Sequence, residues 1–266
     1  MSDLGRRGRA AARSITSRLR AQRYARRPGR IASGVGAGLR FDPGGAEIGY
    51  LRGDSELSVQ HVIANHLVPG SVFYDIGANV GFFTVLGARL VGTGGFVAAL
   101  EPVPSAAALA RRNCLLNGFT NVQVIERAAS NVNGSGALVL ARHIGGAALS
   151  IVPRSEDATS AIEVRTTTVD SLVAGSALVA PTLVKIDVEG AEAEVLDGMA
   201  ETITRHRPTI VCEIDDATRE AFDAKYAACS ERLRLLGYRV DDVPDAYPGS
   251  AWHVGHFLAT PADPPG

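Results

Sequence analysis

The segment Ser71–Gly81, SVFYDIGANVG, restricts what this chain can fold into more than any other. A short apolar run, Val72-Phe73-Tyr74, ends on an acid, Asp75. A turn carrying Gly77 and Gly81 follows, and Val80–Val91 then repeats apolar residues at helical spacing. Strand, acid, glycine turn and helix, in that order, open a nucleotide-binding α/β unit. Glycine lets the backbone turn sharply and approach a ligand, and the helix start offers unpaired N–H groups. A second strand is expected over Gly95–Leu100, and it too ends on an acid, Glu101, at a separation suited to gripping ribose hydroxyls.

The turn discriminates between ligands. A dinucleotide needs G-x-G-x-x-G so that a pyrophosphate can sit against the helix start. Here the order is Gly77-Ala78-Asn79-Val80-Gly81, with no third glycine in register. Asp75 just before the turn repels a pyrophosphate and suits an ammonium. A nucleoside with an amino-acid tail, S-adenosylmethionine, therefore fits better than NAD. An oxidoreductase of the NAD-dependent type is the alternative that this turn disfavours. A cofactor-fold binding module without activity would be favoured by degraded acidic motifs, and both acids are intact.

At 266 residues the chain is long enough for one substantial α/β domain. Its net charge of −1, and the lack of a basic patch interleaved with aromatics in the core, argue against a nucleic-acid partner. Cys114, Cys212 and Cys229 lie far apart, without metal-ligand or CxxC spacing, which points to a reducing, cytoplasmic setting with no disulfide framework. No apolar run approaches the length of a membrane span. Charge is concentrated at the start, where ten arginines lie between Arg6 and Arg30 with only Asp3 opposing them. Peripheral contact with an anionic membrane is conceivable for such an arm. A solvated leader fits its few aliphatic anchors better, and the whole chain has only Lys185 and Lys225 as lysines, so arginine is its general cation.

Further elements follow from pattern. Gly34–Arg52 is glycine-rich, with a hairpin expected around Asp42-Pro43-Gly44-Gly45. Ser55–Leu67 and Ala106–Leu116 read as helices, and Val122–Ile125 as the third strand, giving β-α-β-α-β and a parallel sheet covered on both faces. Residues 134–169 interrupt that rhythm. Ala137–Ala141 and Ile162–Thr168 are expected to form an antiparallel ribbon over the carboxyl edge, turning at Gly145-Gly146. The α/β order resumes with Thr182–Asp187, a helix Ala191–Met199, strand Thr209–Glu213, a long helix Thr218–Leu236 and strand Tyr238–Val243. Trp252–Ala259 is expected as a last, antiparallel strand at the sheet edge, before a proline-rich tail, 261–266.

The second unusual segment is Leu183–Glu192, LVKIDVEGAE. If the strand continued, Lys185, Asp187 and Glu189 would share one face at the carboxyl end, where open α/β sheets bind ligands. An internal ion pair that merely shapes the loop is the plainer reading of Lys185.

DIGANVGFFT, ALEPVPSAAALARRNCLLNG, NVQVIERAAS, LVKIDVEGAEAEVLDG and RPTIVCEI occur in this order. Together they resemble the FkbM family of S-adenosylmethionine-dependent methyltransferases, from about Gly53 to Leu258. The resemblance implies a class I methyltransferase (Rossmann-like) fold with a seven-stranded, mostly parallel sheet whose last strand is antiparallel, to which the pattern adds the inserted antiparallel β-ribbon. It implies O-methylation of a hydroxyl on a sugar, polyketide or other natural product, so a small-molecule or glycan acceptor. The methyltransferase domain is then 31–260, after a leader of 1–30.

Residue by residue, the resemblance assigns Asp75, Gly77, Ala78, Asn79 and Gly81 to the methionine end of the cofactor. It assigns Glu101 to the ribose, Pro102 and Val103 to the flank of the adenine, and Ala128 and Ala129 to the neighbourhood of that ring. Asp187 faces the sulfonium and the acceptor. Methylating a hydroxyl needs a base, and the candidates are Asp187, Glu189, His143 and His253. A metal on Asp187 lacks a second ligand at any recognisable spacing, so no metal site is expected.

Overall fold

The computed structural model describes residues 27–140, 147–149, 160–244 and 253–262. The elements begin with a two-stranded ribbon, β1 (Gly29–Arg30) against β2 (Arg40–Phe41), so the hairpin bends through Ala32–Gly38. The Asp42–Gly45 segment expected to form it is instead a turn into α1 (Gly49–Arg52), closed by Gly44 N–H donating to Asp42 Oδ1. Helix α2 (Leu57–His66) leads to β3 (Val72–Ile76), α3 (Phe82–Val91), β4 (Phe96–Leu100), α4 (Pro104–Leu116) and β5 (Val122–Ile125). Pro104 opens α4, where its missing N–H would have had no partner anyway.

The insertion comprises β6 (Ala128–Ala129), β7 (Gly134–Leu140), β8 (Ala147–Leu149) and β9 (Ser160–Thr167), a four-stranded sheet in the order β6-β9-β7-β8. The antiparallel β7–β9 pair is the ribbon expected from sequence, while β8 is a third strand that the pattern did not indicate. The turn at Gly145-Gly146 lies outside the described residues. Then come α5 (Val169–Ala174), β10 (Leu183–Ile186), α6 (Glu192–Asp197), α7 (Ala200–His206), β11 (Thr209–Asp216), α8 (Arg219–Leu235), β12 (Tyr238–Val243) and β13 (His253–Pro261).

The main sheet has seven strands in the order β12-β13-β11-β10-β3-β4-β5. All pairings are parallel except those of β13, which runs antiparallel to both β11 and β12. The last strand is thus antiparallel, as expected, but it is not at the edge. It lies between β11 and β12, and its Phe257 and Ala259 are wholly buried. The edge is β12, whose Arg239, Asp241 and Asp242 suit a strand with one flank in water.

Alternation along the strands assigns each side chain to a face. Tyr74, Ile76, Ile186, Ile210, Cys212, Ile214 and Phe257 join one core with Val195, Leu196 and Leu233 of α6 and α8. Phe73, Val97, Leu183 and Val211 join another with residues of α2 and α3. Asp75, Lys185 and Glu213 are each two residues on from Phe73, Leu183 and Val211, so they share the α2/α3 face.

Candidate active site

Strand β3 delivers Asp75 to its carboxyl end, 1% exposed. Thr84 of α3 donates to Asp75 Oδ2 at 2.5 Å, whereas Oδ1 has no hydrogen-bond partner among the described residues. Burial raises the Asp75 carboxyl above its ordinary pKa, against the pull of Lys185 and Thr84. The turn after it is set by contact. Gly77 has φ +81°, and a Cβ there would lie 1.7 Å from the carbonyl oxygen of Asp187. Gly81 has φ +83°, and its Cβ would meet Ala110 of α4 at 2.8 Å. The glycines therefore let the β3 turn press against the β10 loop and α3 against α4. Gly77 and Ala78 both donate to Leu100 O, at 2.9 and 3.0 Å, which locks the turn onto the end of β4.

Glu101 is 6% exposed. Its Oε2 accepts from Asn79 N at 2.7 Å and its Oε1 from Val103 N at 2.8 Å. Burial pushes its pKa up to about 7 even though both N–H groups favour the charged form. Each oxygen has a second lone pair to offer. Next to Glu101 in the chain, Val103 packs with Val188 on a small apolar cluster that contains Ala128 and Ala191, whereas Ala129 joins the larger core on the α6/α8 face. An apolar patch adjoining a carboxylate fits an adenosine, the patch taking the base and the acid the ribose hydroxyls. Asp75, with one buried oxygen unpaired, fits a cationic group. These residues suit S-adenosylmethionine.

Beyond Ile186 the chain leaves the strand. Asp187 is on the loop, not in β10 as expected, and Glu189 takes a left-handed φ of 52°. Lys185 is 3% exposed and its Nζ meets Asp187 Oδ2 at 2.7 Å, with the Phe83 ring 4.7 Å away. Burial alone would lower the Lys185 pKa, but Asp187, Glu56, Asp75 and Glu213 together hold it above its ordinary value. The Asp187 side chain is 25% exposed, so the pair is open on the acid's side.

Three residues not foreseen as site residues join this cluster. Ile186 pairs with Cys212, so Asp187 and Glu213 follow side by side at the strand ends. Glu213 in turn pairs in register with His256 of β13, and Glu213 Oε2 lies 2.6 Å from His256 Nε2. Glu56, which precedes α2 with a left-handed φ of 47°, brings its Oε2 to 3.7 Å from the same nitrogen. Burial opposes charge on His256, but its two carboxylate neighbours raise its pKa to about 9. Glu213 is pushed up to about 8 by burial and by Asp187. Of the foreseen bases, His143 lies outside the described residues. His253 is three residues from His256 and so faces the other side of the sheet, where its ring sits 6.5 Å from Phe222. The structure brings His256, not His253, to Glu213, the strand-end neighbour of Asp187.

A seven-stranded sheet in this order, with acids closing its two central parallel strands beside a glycine turn, is the class I fold of S-adenosylmethionine-dependent methyltransferases. The model of the methyltransferase FkbM domain matches residues 75–240, more than half of the chain, and the chain belongs to that family. Its cofactor is accordingly S-adenosylmethionine. No curated protein sequence matches significantly. Among solved structures, the chain is similar to the methyltransferase FkbM from Methylobacillus flagellatus KT, at 17% identity and TM-score 0.46 over 71% of this chain and 43% of that one. It is also similar to the precorrin-6y C5,15-methyltransferase from Geobacter metallireducens GS-15, at 18% identity and TM-score 0.47 over 77% and 88%. A putative rRNA methylase from Clostridium thermocellum aligns at 12% identity and TM-score 0.50 over 79% and 98%. At such identities the likeness is one of fold. The chain matches less than half the length of the first of these structures. Among the described residues no helix is long and apolar enough to cross a membrane.

Proposed function

We propose that this chain transfers the methyl group of S-adenosylmethionine to a hydroxyl of a small molecule or glycan: a sugar, a polyketide or another natural product. The observation that carries the reading is Asp187, a part-exposed carboxylate held by a buried lysine at the carboxyl end of β10, against the Gly77 turn. Bound cofactor supplies an electrophilic methyl on a sulfonium. Asp75 and the Gly77–Gly81 turn hold its amino-acid end, Glu101 accepts from the ribose hydroxyls, and Pro102, Val103, Ala128 and Ala129 flank the adenine. Asp187 accepts the acceptor hydroxyl's proton as the new bond forms, because a neutral hydroxyl is a weak nucleophile. Lys185 fixes the Asp187 carboxylate in one orientation, which lowers the entropy lost in aligning the reacting atoms. Tyr50, stacked on Phe82 at 4.7 Å, offers an apolar wall beside these acids.

Titration calorimetry with S-adenosylhomocysteine tests the cofactor half of this reading. Glu101→Ala should weaken binding about 30–150-fold, the worth of roughly 2–3 kcal/mol for two hydrogen bonds to a charged acceptor. Tight binding of NAD, with no heat from S-adenosylhomocysteine, would end the reading. Affinity should also depend on pH with a defined sign. The free Glu101 carboxyl has a pKa near 7, and ribose hydroxyls prefer its ionised form. Bound ligand therefore lowers that pKa, so affinity falls as pH drops below about 7, by up to about tenfold per unit for one linked proton, and levels off above it. An affinity that is flat from acid to neutral pH would remove Glu101 from the ribose site. The hydroxyl half is tested by incubating the protein with labelled S-adenosylmethionine and extracts of its source cell. Label recovered on nitrogen or carbon instead of oxygen would overturn it.

A further inference from the structure

We propose that Glu192 is a positioning residue for Asp187: its buried carboxylate straps the Gly190 amide, fixes the turn between β10 and α6, and so sets where the Asp187 side chain meets the acceptor. The use of that placement at an acceptor hydroxyl rests on the methyl-transfer reading above. Glu192 ends the segment LVKIDVEGAE, and neither the cofactor nor the acceptor chemistry has called on it.

Asp187 is tied to the sheet through its own backbone. Its N–H donates to Ile76 O at 3.0 Å, and its carbonyl oxygen is the atom that a Cβ on Gly77 would meet. Between Ile186 and Glu192 the chain must turn from a parallel strand into a helix. It does so through two consecutive left-handed residues, Glu189 at φ 52° and Gly190 at φ 105°. A residue with a side chain adopts that conformation at a cost, and keeps it only where its surroundings over-determine it. Gly190 N donates to Glu192 Oε1 at 2.7 Å, which closes the turn. Val188 packs against the cluster that holds the buried Ala191. Releasing the Gly190 amide would let Glu189 leave its left-handed conformation, and the Asp187–Val188 link would rotate with it.

Glu192 is 3% exposed, and a carboxylate is costly to bury without hydrogen bonds, so the amide it holds accounts for its place. Burial pushes its pKa up to about 7, against the Gly190 N–H and its own main-chain N–H. From β11, Asp215 raises it further, and from α8, Lys225 lowers it. Lys225 is itself engaged, 2.9 Å from Asp216 Oδ2. The thiols of Cys212 on β11 and Cys229 on α8 are raised by burial and stay neutral. As pH falls through about 7, the strap therefore changes from a charged acceptor to a neutral one, which makes a weaker hydrogen bond.

The test uses the full chain with S-adenosylhomocysteine bound. Glu189-Gly190 is the only Glu-Gly pair in the sequence, so ¹³C-glutamate with ¹⁵N-glycine singles out the Gly190 amide by nuclear magnetic resonance. Its proton should lie far downfield in the parent and move upfield as pH falls, with a midpoint of about 7. Glu192→Gln keeps an accepting oxygen and loses the ionisation, so its signal should be flat over that range. Glu192→Ala should lose the downfield shift. The Asp187 carboxyl carbon, assigned by its loss in Asp187→Asn, should move in Glu192→Ala and hold in Glu192→Gln. Single-turnover transfer of label from S-adenosylmethionine to the source-cell extract should fall about 10–100-fold in Glu192→Ala, as follows from a small misplacement of a reacting group. It should recover in Glu192→Gln above neutral pH, and S-adenosylhomocysteine affinity should stay near the parent's in both. A folded Glu192→Ala with an unmoved Asp187 carbon, or with the parent's rate per folded molecule, overturns the proposal. So does a Glu192→Gln as slow as Glu192→Ala while its Gly190 amide stays bonded, because charge and not the strap would then matter. If thermal melting shows that Glu192→Ala does not fold, Glu192→Gln decides, and a Gly190 signal that still titrates in it overturns the strap. A parent that moves no label to oxygen, with the Asp187 carbon responding as expected, ends the hydroxyl-methylation reading and leaves the coupling of Glu192 to Asp187 standing.

Discussion

Gly77→Ala should cost the protein several kcal/mol of stability and remove S-adenosylhomocysteine binding. Two penalties coincide at this position. The backbone has φ +81°, a conformation that costs a side-chain-bearing residue about 1 kcal/mol or more. A Cβ would also stand 1.7 Å from the carbonyl oxygen of Asp187, and neither partner can retreat freely. Gly77 N donates to Leu100 O at 2.9 Å, and Asp187 N donates to Ile76 O at 3.0 Å, so the clash lies between two loops each tied to the sheet. We expect a total of about 4 kcal/mol, in the range reserved for a few named mechanisms. For a chain of this size that lowers Tm by roughly 8–16 °C. Gly118→Ala is the matched control, because its φ is +68° but nothing lies within 4 Å of the new Cβ. It should lower Tm by only a few degrees. If the two variants melt alike, the close approach of the β3 turn to the β10 loop does not hold the site together.

The same contact shows why part of the site is legible in the sequence. Asp75, Gly77, Gly81 and Glu101 belong to short segments in which strand, acid and turn are neighbours along the chain, and local pattern carries their placement. The β-α-β order is legible for the same reason, since apolar periodicity is a local signal. The position of β13 is not local, because an antiparallel strand is equally compatible with an edge or with insertion between β11 and β12. The cue lay in comparing the two: Phe257-Leu258-Ala259 is an unbroken apolar run after a buried His256, as a strand covered on both flanks requires, whereas Arg239, Asp241 and Asp242 mark β12 as the edge. Glu56, Glu213 and His256 are up to 200 positions apart and meet only through the sheet register and the start of α2. Glu213 still carried a signal of its own. It ends the apolar run Thr209–Cys212 much as Asp187 follows Leu183–Ile186, and an acid closing an apolar parallel strand is the feature that marked Asp75 and Glu101.

Asp187→Asn should lower the single-turnover rate by about 10²–10⁴-fold, the usual worth of acid–base catalysis, while the protein stays folded. The amide keeps the shape of the side chain and loses its charge, so it can neither accept the hydroxyl's proton nor pair fully with Lys185. Breaking a buried ion pair can cost 3–5 kcal/mol when the remaining charge is left alone. Here Lys185 is not left alone: Glu56, Asp75 and Glu213 also favour its charged form, the Phe83 ring lies 4.7 Å from its Nζ, and the amide oxygen still accepts from it. The loss of stability should therefore be nearer 1–2 kcal/mol, or about 2–8 °C in Tm. Cofactor affinity should change by less than about tenfold, because the residues proposed for the ribose and adenine, Glu101 and the Val103–Ala128 patch, do not include Asp187. These readouts separate three roles. A rate loss with near-parent affinity and a small Tm change marks Asp187 as the group acting on the acceptor. Affinity falling in step with rate marks it as a cofactor ligand. A large Tm loss with a normal rate per folded molecule marks it as the partner of Lys185 alone, and the search for the base then moves to Glu213 and His256.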